Sequence, residues 1–237
     1  TAALETFLFR LQEEKPAQSF IQSLEYSLLD PSEFGEFSII ESADSGTASA
    51  LILPDLATCA NCLADISDPR NRRYRYPFAN CTHCGPRFTI LESLPYDRAN
   101  TSMKSFNMCP DCLREFQDPA DRRFHAQPVA CWDCGPRLTL HGADGEPIPC
   151  EDPLTETIRR FRDGEILAIK GLGGFHLAVD AENDQAVQTL RQRKHREEKP
   201  LAVMAHDLET IRQFAHISEE EAALLTSPQR PIVLLQK

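Results

Sequence analysis

Eight of the nine cysteines form four Cys-x-x-Cys pairs, which are divided between two similar stretches with the spacing C-x2-C-x18-C-x2-C. Two thiolates three residues apart can bind one metal ion from a single turn, and two such turns supply the four ligands of a tetrahedral structural zinc site. The spacing therefore predicts two zinc ions. Their ligands are Cys59, Cys62, Cys81 and Cys84 in the first stretch and Cys109, Cys112, Cys131 and Cys134 in the second.

A zinc ion with four thiolate ligands has no open position for water, so we expect both sites to be structural rather than catalytic. Each stretch is too short to bury a core of its own, and the metal ion substitutes for that core. His83 lies within the motif CTHC, but Asp133 occupies the equivalent position in the second stretch, so we interpret His83 as a non-ligand. Cys150 lies outside both stretches and is interpreted as a plain thiol.

Three other uses of paired cysteines agree less well with this sequence. Disulfides are typical of secreted chains, and neither a secretion signal nor an even number of cysteines is visible. Iron–sulfur clusters are usually bound by more closely spaced cysteines. Redox-active Cys-x-x-Cys pairs belong to a thioredoxin-like α/β context, which residues 51–150 lack. Zinc is therefore the favoured interpretation.

The two cysteine stretches are copies of each other. Residues 59–90 and 109–140 align without a gap and share thirteen of thirty-two residues, among them the cysteines, Asp-Pro, Arg-Arg and Gly-Pro-Arg. Such similarity indicates an internal duplication. Gly85 and Gly135, which follow the last cysteine of each copy, are expected to permit tight turns that direct amide groups toward the sulfurs.

Each copy also carries a pair of adjacent arginines, at 72–73 and at 122–123. Such a pair can grip phosphates or an acidic partner. We favour a simpler interpretation, in which the pairs form ion pairs with the nearby Asp68 and Asp118.

A glycine turn and a cationic run form the second group of residues that could do chemistry. The turn, GLGG, matches neither the dinucleotide-binding nor the P-loop signature. The run RQRKHREEKP has five cations in nine residues, and such runs are most often solvated helix ends. When a strand, a glycine loop and a cation-rich turn occur together, however, backbone amides with lysine and arginine can hold phosphates.

The elements around this second group alternate between helices and strands over residues 151–237, which is typical of an α/β sheet domain. We predict a buried strand at EILAIKG and further strands at GFHLAVDA and PLAVMA. Helices are predicted at DPLTETIRRFRDG, with Asp152 as N-cap and Gly164 beyond the end, and at NDQAVQTLRQRK. Further helices are predicted at DLETIRQFA and at SEEEAALL, the latter with a capping box from Ser218 to Glu221.

Residues 1–50 contain too few elements to bury a core. In LETFLFRLQ an apolar stripe predicts a helix, made of Leu4, Phe7, Leu8 and Leu11. The alternation in FIQSLEYSLL predicts a half-buried strand, EFSIIES a second short strand, and SADSGTASA a linker.

The net charge of −11 is unevenly distributed, and residues 59–140 are nearly neutral, with nine acids and eleven bases. Nucleic-acid-binding proteins usually have a clear basic face, so this balance argues against such a partner. No run approaches the roughly 18 apolar residues of a membrane helix, and no signal pattern is visible at the N-terminus. We therefore expect a cytoplasmic protein without a membrane span.

At these motifs the sequence resembles the HypF family, the carbamoyltransferases of nickel–iron hydrogenase maturation. The resemblance rests on CTHCGPRFT and RRFHAQPVACWDCGPR, followed by KGLGGFHLAVDA and RKHREEKPLAVM, and it covers nearly the whole chain. It implies a multidomain fold of the α+β and α/β classes. Its parts are the end of an acylphosphatase-like domain (1–50), a tandem zinc-finger domain with four cysteines to each finger (51–150) and the first part of a YrdC-like twisted-sheet domain (151–237).

The resemblance also implies a reaction. Carbamoyl phosphate is hydrolysed to carbamate, which condenses with ATP, as its Mg complex, to carbamoyl adenylate. The carbamoyl group then passes to the C-terminal cysteine of the protein HypE, from which the cyanide ligands of the hydrogenase are made. By position, the resemblance assigns the binding of ATP phosphates and carbamate to Lys170, His176, Lys194, Arg196 and Lys199, and it assigns no catalytic residue.

Two motifs of the family are not found here: the arginine loop of the acylphosphatase domain and the metal-binding histidines of a later ATPase-fold domain. We therefore expect this chain to be part of a longer protein and to be inactive by itself. Two other functions are considered, a zinc-ribbon module that binds nucleic acid and a tRNA-modification enzyme like threonylcarbamoyl-adenylate synthase. The near-neutral charge of residues 59–140 argues against the first, and the zinc fingers argue against the second.

Overall fold

A computed structural model describes residues 2–15, 19, 21–30 and 52–237. Its helices and strands, in chain order, are α1 (Ala2–Glu13), α2 (Ala60–Ser67), α3 (Pro110–Gln117), α4 (Pro153–Arg162), β1 (Leu167–Gly171), β2 (Gly174–Ala178), α5 (Asp184–Arg193), α6 (Leu208–Arg212) and α7 (Glu219–Thr226). Short 3-10 helices lie at the end of the first cysteine copy, at Phe88–Ile90, and between the copies, at Arg98–Asn100 and Ser102–Ser105. Within the described ranges, no helix is long and apolar enough to cross a membrane.

The N-terminal part agrees only partly with the sequence prediction. The predicted first helix forms as α1, and none of its residues is buried. The strand predicted in FIQSLEYSLL does not form over residues 21–30, because no strand of the described part pairs with this segment. The predicted strand EFSIIES and the linker 42–50 lie outside the described residues.

The two cysteine copies share backbone conformation as well as sequence. Each begins with an eight-residue helix, α2 or α3. After each helix a non-glycine residue adopts a positive φ, 57° at Arg75 and 52° at His125, fifty residues later. The amides of these residues donate to Ile66 at 2.8 Å and to Phe116 at 3.0 Å, also equivalent positions. The same turn therefore occurs in both copies, although the residues at these positions differ.

The buried residues of the described chain are concentrated in the finger region, which we define as residues 52–150. One cluster joins the two copies with the segment between them, and it contains Tyr76, Ala79, Ile90, Met103 and Ala130. Tyr76 of the first copy meets Trp132 of the second edge to face, with ring centroids 5.1 Å apart. The two copies therefore pack against each other and share a core, rather than forming two independent units.

Residues 151–237 contain the predicted helices, with their predicted caps. Asp152 accepts from the amide of Leu154, and Ser218 and Glu221 form the capping box at the start of α7. These caps satisfy amides that have no partner within the helix, which explains why the helices begin where they do. Only Ala186 and Leu190 are buried in this part of the chain.

The strands of this part differ from the prediction. β1 and β2 form an antiparallel hairpin, in which Lys170 lies opposite Phe175. The sequence predicts a buried β1, but its central residues are exposed. PLAVMA adopts no strand conformation, and in the described chain β1 and β2 pair only with each other.

Polar contacts join the finger region to the part that follows. The guanidinium of Arg75 lies 3.0 Å from the carboxylate of Asp152 and donates to the hydroxyl of Thr155 at 2.9 Å. The amide of Ala57 donates to the carbonyl of Pro228 at 2.8 Å. Asp152 therefore both begins α4 and fixes this helix to the first cysteine copy.

The two roles of Asp152 can be separated by substitution. Asp152→Ala removes the cap and the ion pair, whereas Asp152→Asn keeps a good cap and removes only the ion pair. Because a cap contributes about 1 kcal/mol, amides in the first turn of α4 should exchange about fivefold faster in the alanine variant. The asparagine variant should change little, since a half-exposed ion pair contributes little. Hydrogen exchange of a peptide covering residues 152–163 measures this, and equal acceleration in both variants would contradict the capping role.

Candidate functional site

The eight repeated cysteines are brought together as two groups of four. Within each group the sulfur atoms all lie within 4.8 Å of one another. In the first group, Sγ of Cys81 is 3.7 Å from that of Cys59 and 3.8 Å from that of Cys84. In the second group the corresponding distances from Cys131 are 3.7 Å and 3.8 Å. His83 and Cys150 lie outside both groups.

These distances fit zinc. A tetrahedral centre with zinc–sulfur bonds of about 2.3 Å has neighbouring sulfurs about 3.8 Å apart. A disulfide needs sulfurs about 2.05 Å apart, and all nine cysteines are free. All four donors of each group are sulfurs, which suits a closed structural zinc site.

The helices α2 and α3 place the first two sulfurs of each group. Cys59 and Cys109 are the N-caps of these helices, and Cys62 and Cys112 lie in their first turns. The free amides and the dipole at a helix N-terminus favour negative charge, so this position favours thiolates over thiols.

The two glycines after the last cysteines serve different purposes, and neither directs its amide at a sulfur as expected. Gly85 has a φ of +95°, and its amide donates to the carbonyl of Leu56. The amide of Gly135 donates to the carbonyl of Cys131. A Cβ at Gly135 would lie 2.1 Å from the hydroxyl of Tyr76, so this position requires glycine for space.

The sequence predicts that the arginine pairs bind Asp68 and Asp118, and this prediction is wrong. Each pair reaches into the other copy. Arg72 and Arg73 of the first copy contact Glu115 of the second at 2.7 and 2.6 Å. Arg122 and Arg123 of the second copy pair with Asp65 of the first. Asp65 and Glu115 are themselves equivalent residues, so the exchange is reciprocal.

The arginine pairs also reach cysteine sulfurs. Arg72 lies 3.4 Å from Sγ of Cys112, and Arg122 lies 2.9 Å from Sγ of Cys62. Burial opposes ionisation of Glu115, but hydrogen bonds from Arg73 and Arg72 outweigh it and lower the pKa of this carboxyl from 4.5 to about 2. Because the pKa is lower in the folded protein, the network stabilises the fold above about pH 4.5 and loses that contribution as the pH falls toward 2.

Almost all basic side chains of residues 59–140 have a partner within the protein. Ten of the eleven bind carboxylates, sulfurs or backbone carbonyls; the exception is Arg137. Arg98, for example, donates to the carbonyls of Phe106 and Val129. Four of the eleven remain exposed, namely Arg70, Lys104, Arg114 and Arg137, and the first three pair with surface carboxylates.

Three of the cationic residues predicted to bind nucleotide lie in one loop after α5. Lys194 and Lys199 are exposed, and Arg196 is half-buried. Arg196 donates to the carbonyl of Pro200 at 2.8 Å, while its Nε is a buried donor without a partner in the described structure. The loop thus offers two solvated ammonium groups and one guanidinium with unused hydrogen-bonding capacity.

Arg191 organises this loop, and the sequence did not indicate its role. Its guanidinium donates to three backbone carbonyls, at 3.2 Å to Arg196, 3.1 Å to Glu197 and 3.1 Å to Lys199. No sequence signal distinguishes a backbone acceptor from a side-chain one, which explains the omission.

Lys170 and His176 lie on opposite faces of the β1–β2 hairpin. Lys170 is opposite Phe175 in the register, and its ammonium lies 4.9 Å from the centre of that ring. His176 is opposite Ile169, one residue out of phase, and directly opposed residues share a face. These two predicted site residues therefore cannot act side by side on one face of the hairpin.

Comparison with known proteins connects these features. The family described as "HypF finger" matches residues 58–91 and 108–141, and the YrdC family, described as "Telomere recombination", matches residues 159–237. Carbamoyltransferase HypF2 of Cupriavidus necator is 60% identical over 85% of this chain. Carbamoyltransferase HypF of Synechocystis sp. is 52% identical over 99% of this chain. The chain belongs to the HypF family.

Solved HypF structures have the same fold. A crystal structure of full-length HypF in the phosphate- and nucleotide-bound form matches with a TM-score of 0.87 and 48% identity, over 98% of this chain and 30% of that one. HypF of T. kodakarensis matches with a TM-score of 0.84 and 47% identity, over 96% and 28%. The chain spans 25% and 31% of the length of the Cupriavidus and Synechocystis relatives. The mixed α/β HypF fold expected from the motifs is therefore confirmed.

The HypF finger match and the two four-cysteine groups together support two structural zinc ions. Metal analysis should therefore find two zinc ions per chain. Cys150→Ser and His83→Ala should leave this number unchanged, because both residues lie outside the groups. Cys84→Ser should lose at least one ion, because it removes a thiolate from a closed site. Metal content by mass spectrometry checks this, and iron, or a full complement in Cys84→Ser, would contradict it.

Proposed function

We propose that this chain is part of an ATP-dependent carbamoyltransferase of hydrogenase maturation, which acts in the cytoplasm. The complete protein uses carbamoyl phosphate and ATP to form carbamoyl adenylate and carbamoylates the C-terminal cysteine of HypE. The observation that carries this proposal is the loop of residues 194–199, whose backbone is fixed by Arg191 while its lysines remain exposed. Such a loop is suited to an anionic ligand.

We assign the phosphates of ATP to Lys194, Arg196 and Lys199. These cations neutralise the triphosphate and the charge that develops as pyrophosphate leaves. The unpartnered Nε of Arg196 supports this assignment, because a buried donor without an acceptor is costly and a ligand oxygen would satisfy it. Lys170 and His176, on opposite faces of the hairpin, serve different parts of the ligand.

We divide the work among three parts of the chain, residues 1–50, 51–150 and 151–237. The last part contributes to adenylation, and the finger part fixes the position of neighbouring catalytic domains. In the fingers we assign zinc ligation to all eight repeated cysteines. Hydrolysis of carbamoyl phosphate and transfer to HypE belong to parts of the enzyme whose motifs are not in this sequence.

Nucleic-acid binding is the weaker alternative for the fingers. A protein that binds nucleic acid must neutralise phosphates with accessible lysines and arginines. In the finger region seven of the eleven such side chains are buried or half-buried, and nine acids nearly balance the eleven bases. No observation favours this function over the carbamoyltransferase.

The test compares Lys194→Ala and Arg196→Ala with Arg193→Ala in the full-length enzyme. A phosphate contact shielded from water should cost about 1.5–3 kcal/mol on truncation, or roughly ten- to hundredfold in ATP affinity. The adjacent Arg193 is exposed on α5 and lies outside the proposed site, so its loss should have almost no effect. The measurement is carbamoyl phosphate-dependent ATP–pyrophosphate exchange. Exchange within twofold of the wild type for both loop variants would refute the assignment.

Arg191 should act as a positioning residue for the same loop. Arg191→Ala frees three carbonyls and should raise the KM for ATP several-fold while amides of residues 196–199 exchange faster with solvent. Arg191→Lys should not restore either property, because an ammonium group cannot reproduce the planar fork of a guanidinium. If the lysine variant matches the wild type in both measurements, charge rather than geometry is what Arg191 provides.

A further inference from the structure

The reciprocal arginine exchange has a second component, which involves the turns that carry the cysteines. Nε of Arg73 donates at 2.9 Å to the carbonyl of Ala130, the residue before Cys131. Nε of Arg123 donates at 3.1 Å to the carbonyl of Asn80, the residue before Cys81. Both arginines also bind the carboxylate on the helix that carries the first cysteine pair of the other copy. Each thus bridges the two ligand-bearing turns of the opposite finger.

The bridging arginines are deeply buried. The exposed fraction of Arg73 is 2% and that of Arg123 is 5%. A buried guanidinium must have its donors satisfied, so its acceptors are held at fixed positions. The two ligand-bearing turns of one finger are therefore held at metal-binding distance by a side chain from the other finger.

The first arginine of each pair, Arg72 or Arg122, is less buried than the second and has an electrostatic role. Four thiolates around one divalent zinc ion leave a net charge of about −2 on the centre. Arg72 donates to Sγ of Cys112 and Arg122 to Sγ of Cys62, so each centre receives a cation from the other copy. Hydrogen bonds from a guanidinium to a metal-bound thiolate stabilise the thiolate against protonation and release.

We propose that the two fingers form one cooperative metal unit, in which the arginine pair of each finger completes the zinc site of the other. Neither finger then keeps its zinc with full affinity when the other finger loses its arginines or its metal. The inference rests on the zinc ligation proposed above. It adds a coupling between the two sites, because two cysteine sites in one chain can otherwise bind zinc independently of each other.

The first experiment tests whether the effect crosses between fingers. Arg72→Ala, Arg122→Ala and the control Arg70→Ala are prepared in the full-length protein. Arg70 belongs to the first finger, and among the described residues its side chain binds Asp68, next to it on the surface. The proteins are challenged with a zinc chelator and a thiol-alkylating reagent, and modification of each cysteine is followed by peptide mass spectrometry. This reports each metal site separately and does not depend on enzyme activity.

Loss of an outer-shell partner typically lowers metal affinity about 10- to 100-fold. Arg72→Ala should therefore accelerate alkylation of the second group, which contains Cys112, about tenfold or more and before it affects the first group. Arg122→Ala should show the opposite order. Arg70→Ala should match the wild type, and Arg72→Lys should recover part of the protection because it restores the charge without the fork. Acceleration confined to the finger that carries the substitution, or no acceleration in either finger, would overturn the proposal.

The second experiment removes one metal site. In Cys109→Ser/Cys112→Ser the first group keeps all four thiolates, so independent fingers would leave its alkylation rate unchanged. Cooperative fingers should accelerate it at least tenfold. If this variant does not fold, the single arginine variants still decide the question. Rapid alkylation of all eight cysteines in the wild type without chelator would refute the zinc ligation itself, whereas a protected wild type with no cross-finger effect would refute only the cooperativity.

Discussion

A buried arginine must find an acceptor for nearly every donor, and this requirement fixes the arrangement of the finger region. Arg73 is the largest fully buried side chain of the described chain. Its acceptors are the carboxylate of Glu115, the carbonyl of Ala130 and Sγ of Cys112, all in the other copy. The apolar clusters around it are small and include several cysteines. Metal sites and a polar network therefore replace the apolar core that a region of this size would otherwise need.

The region beyond the fingers follows local rules to a greater extent. Asp152 and Ser218 start their helices with side chains a few residues away, and such contacts can be read from sequence. PLAVMA has a strand-like composition but adopts no strand conformation, because a strand exists only when another backbone pairs with it. The burial expected for β1 likewise depends on neighbours that its own residues do not specify.

The site shows a similar division between what spacing predicts and what it does not. The grouping of the eight cysteines follows from their spacing, because ligands three residues apart must share a turn. The partners of Arg72 do not follow, since Asp68 is close in sequence while Glu115 is far along the chain. A duplication shows that two segments are equivalent, but it does not show whether their side chains bind within a copy or across copies. Arg191 binds carbonyls, which every residue has, so no pattern indicated it.

The equivalent positions Arg75 and His125 have the same left-handed backbone but different duties. Arg75 reaches Asp152, whereas His125 stacks on Phe116 with ring planes only 4° apart. The arginine pairs that bind across the copies are thus present in both, whereas Arg75 and His125 differ according to their surroundings. In evolutionary terms the ancestral repeat has been specialised according to its place in the chain. A polypeptide with the copies in reverse order could retain the reciprocal arginine contacts, yet it would place a histidine where Asp152 now meets an arginine.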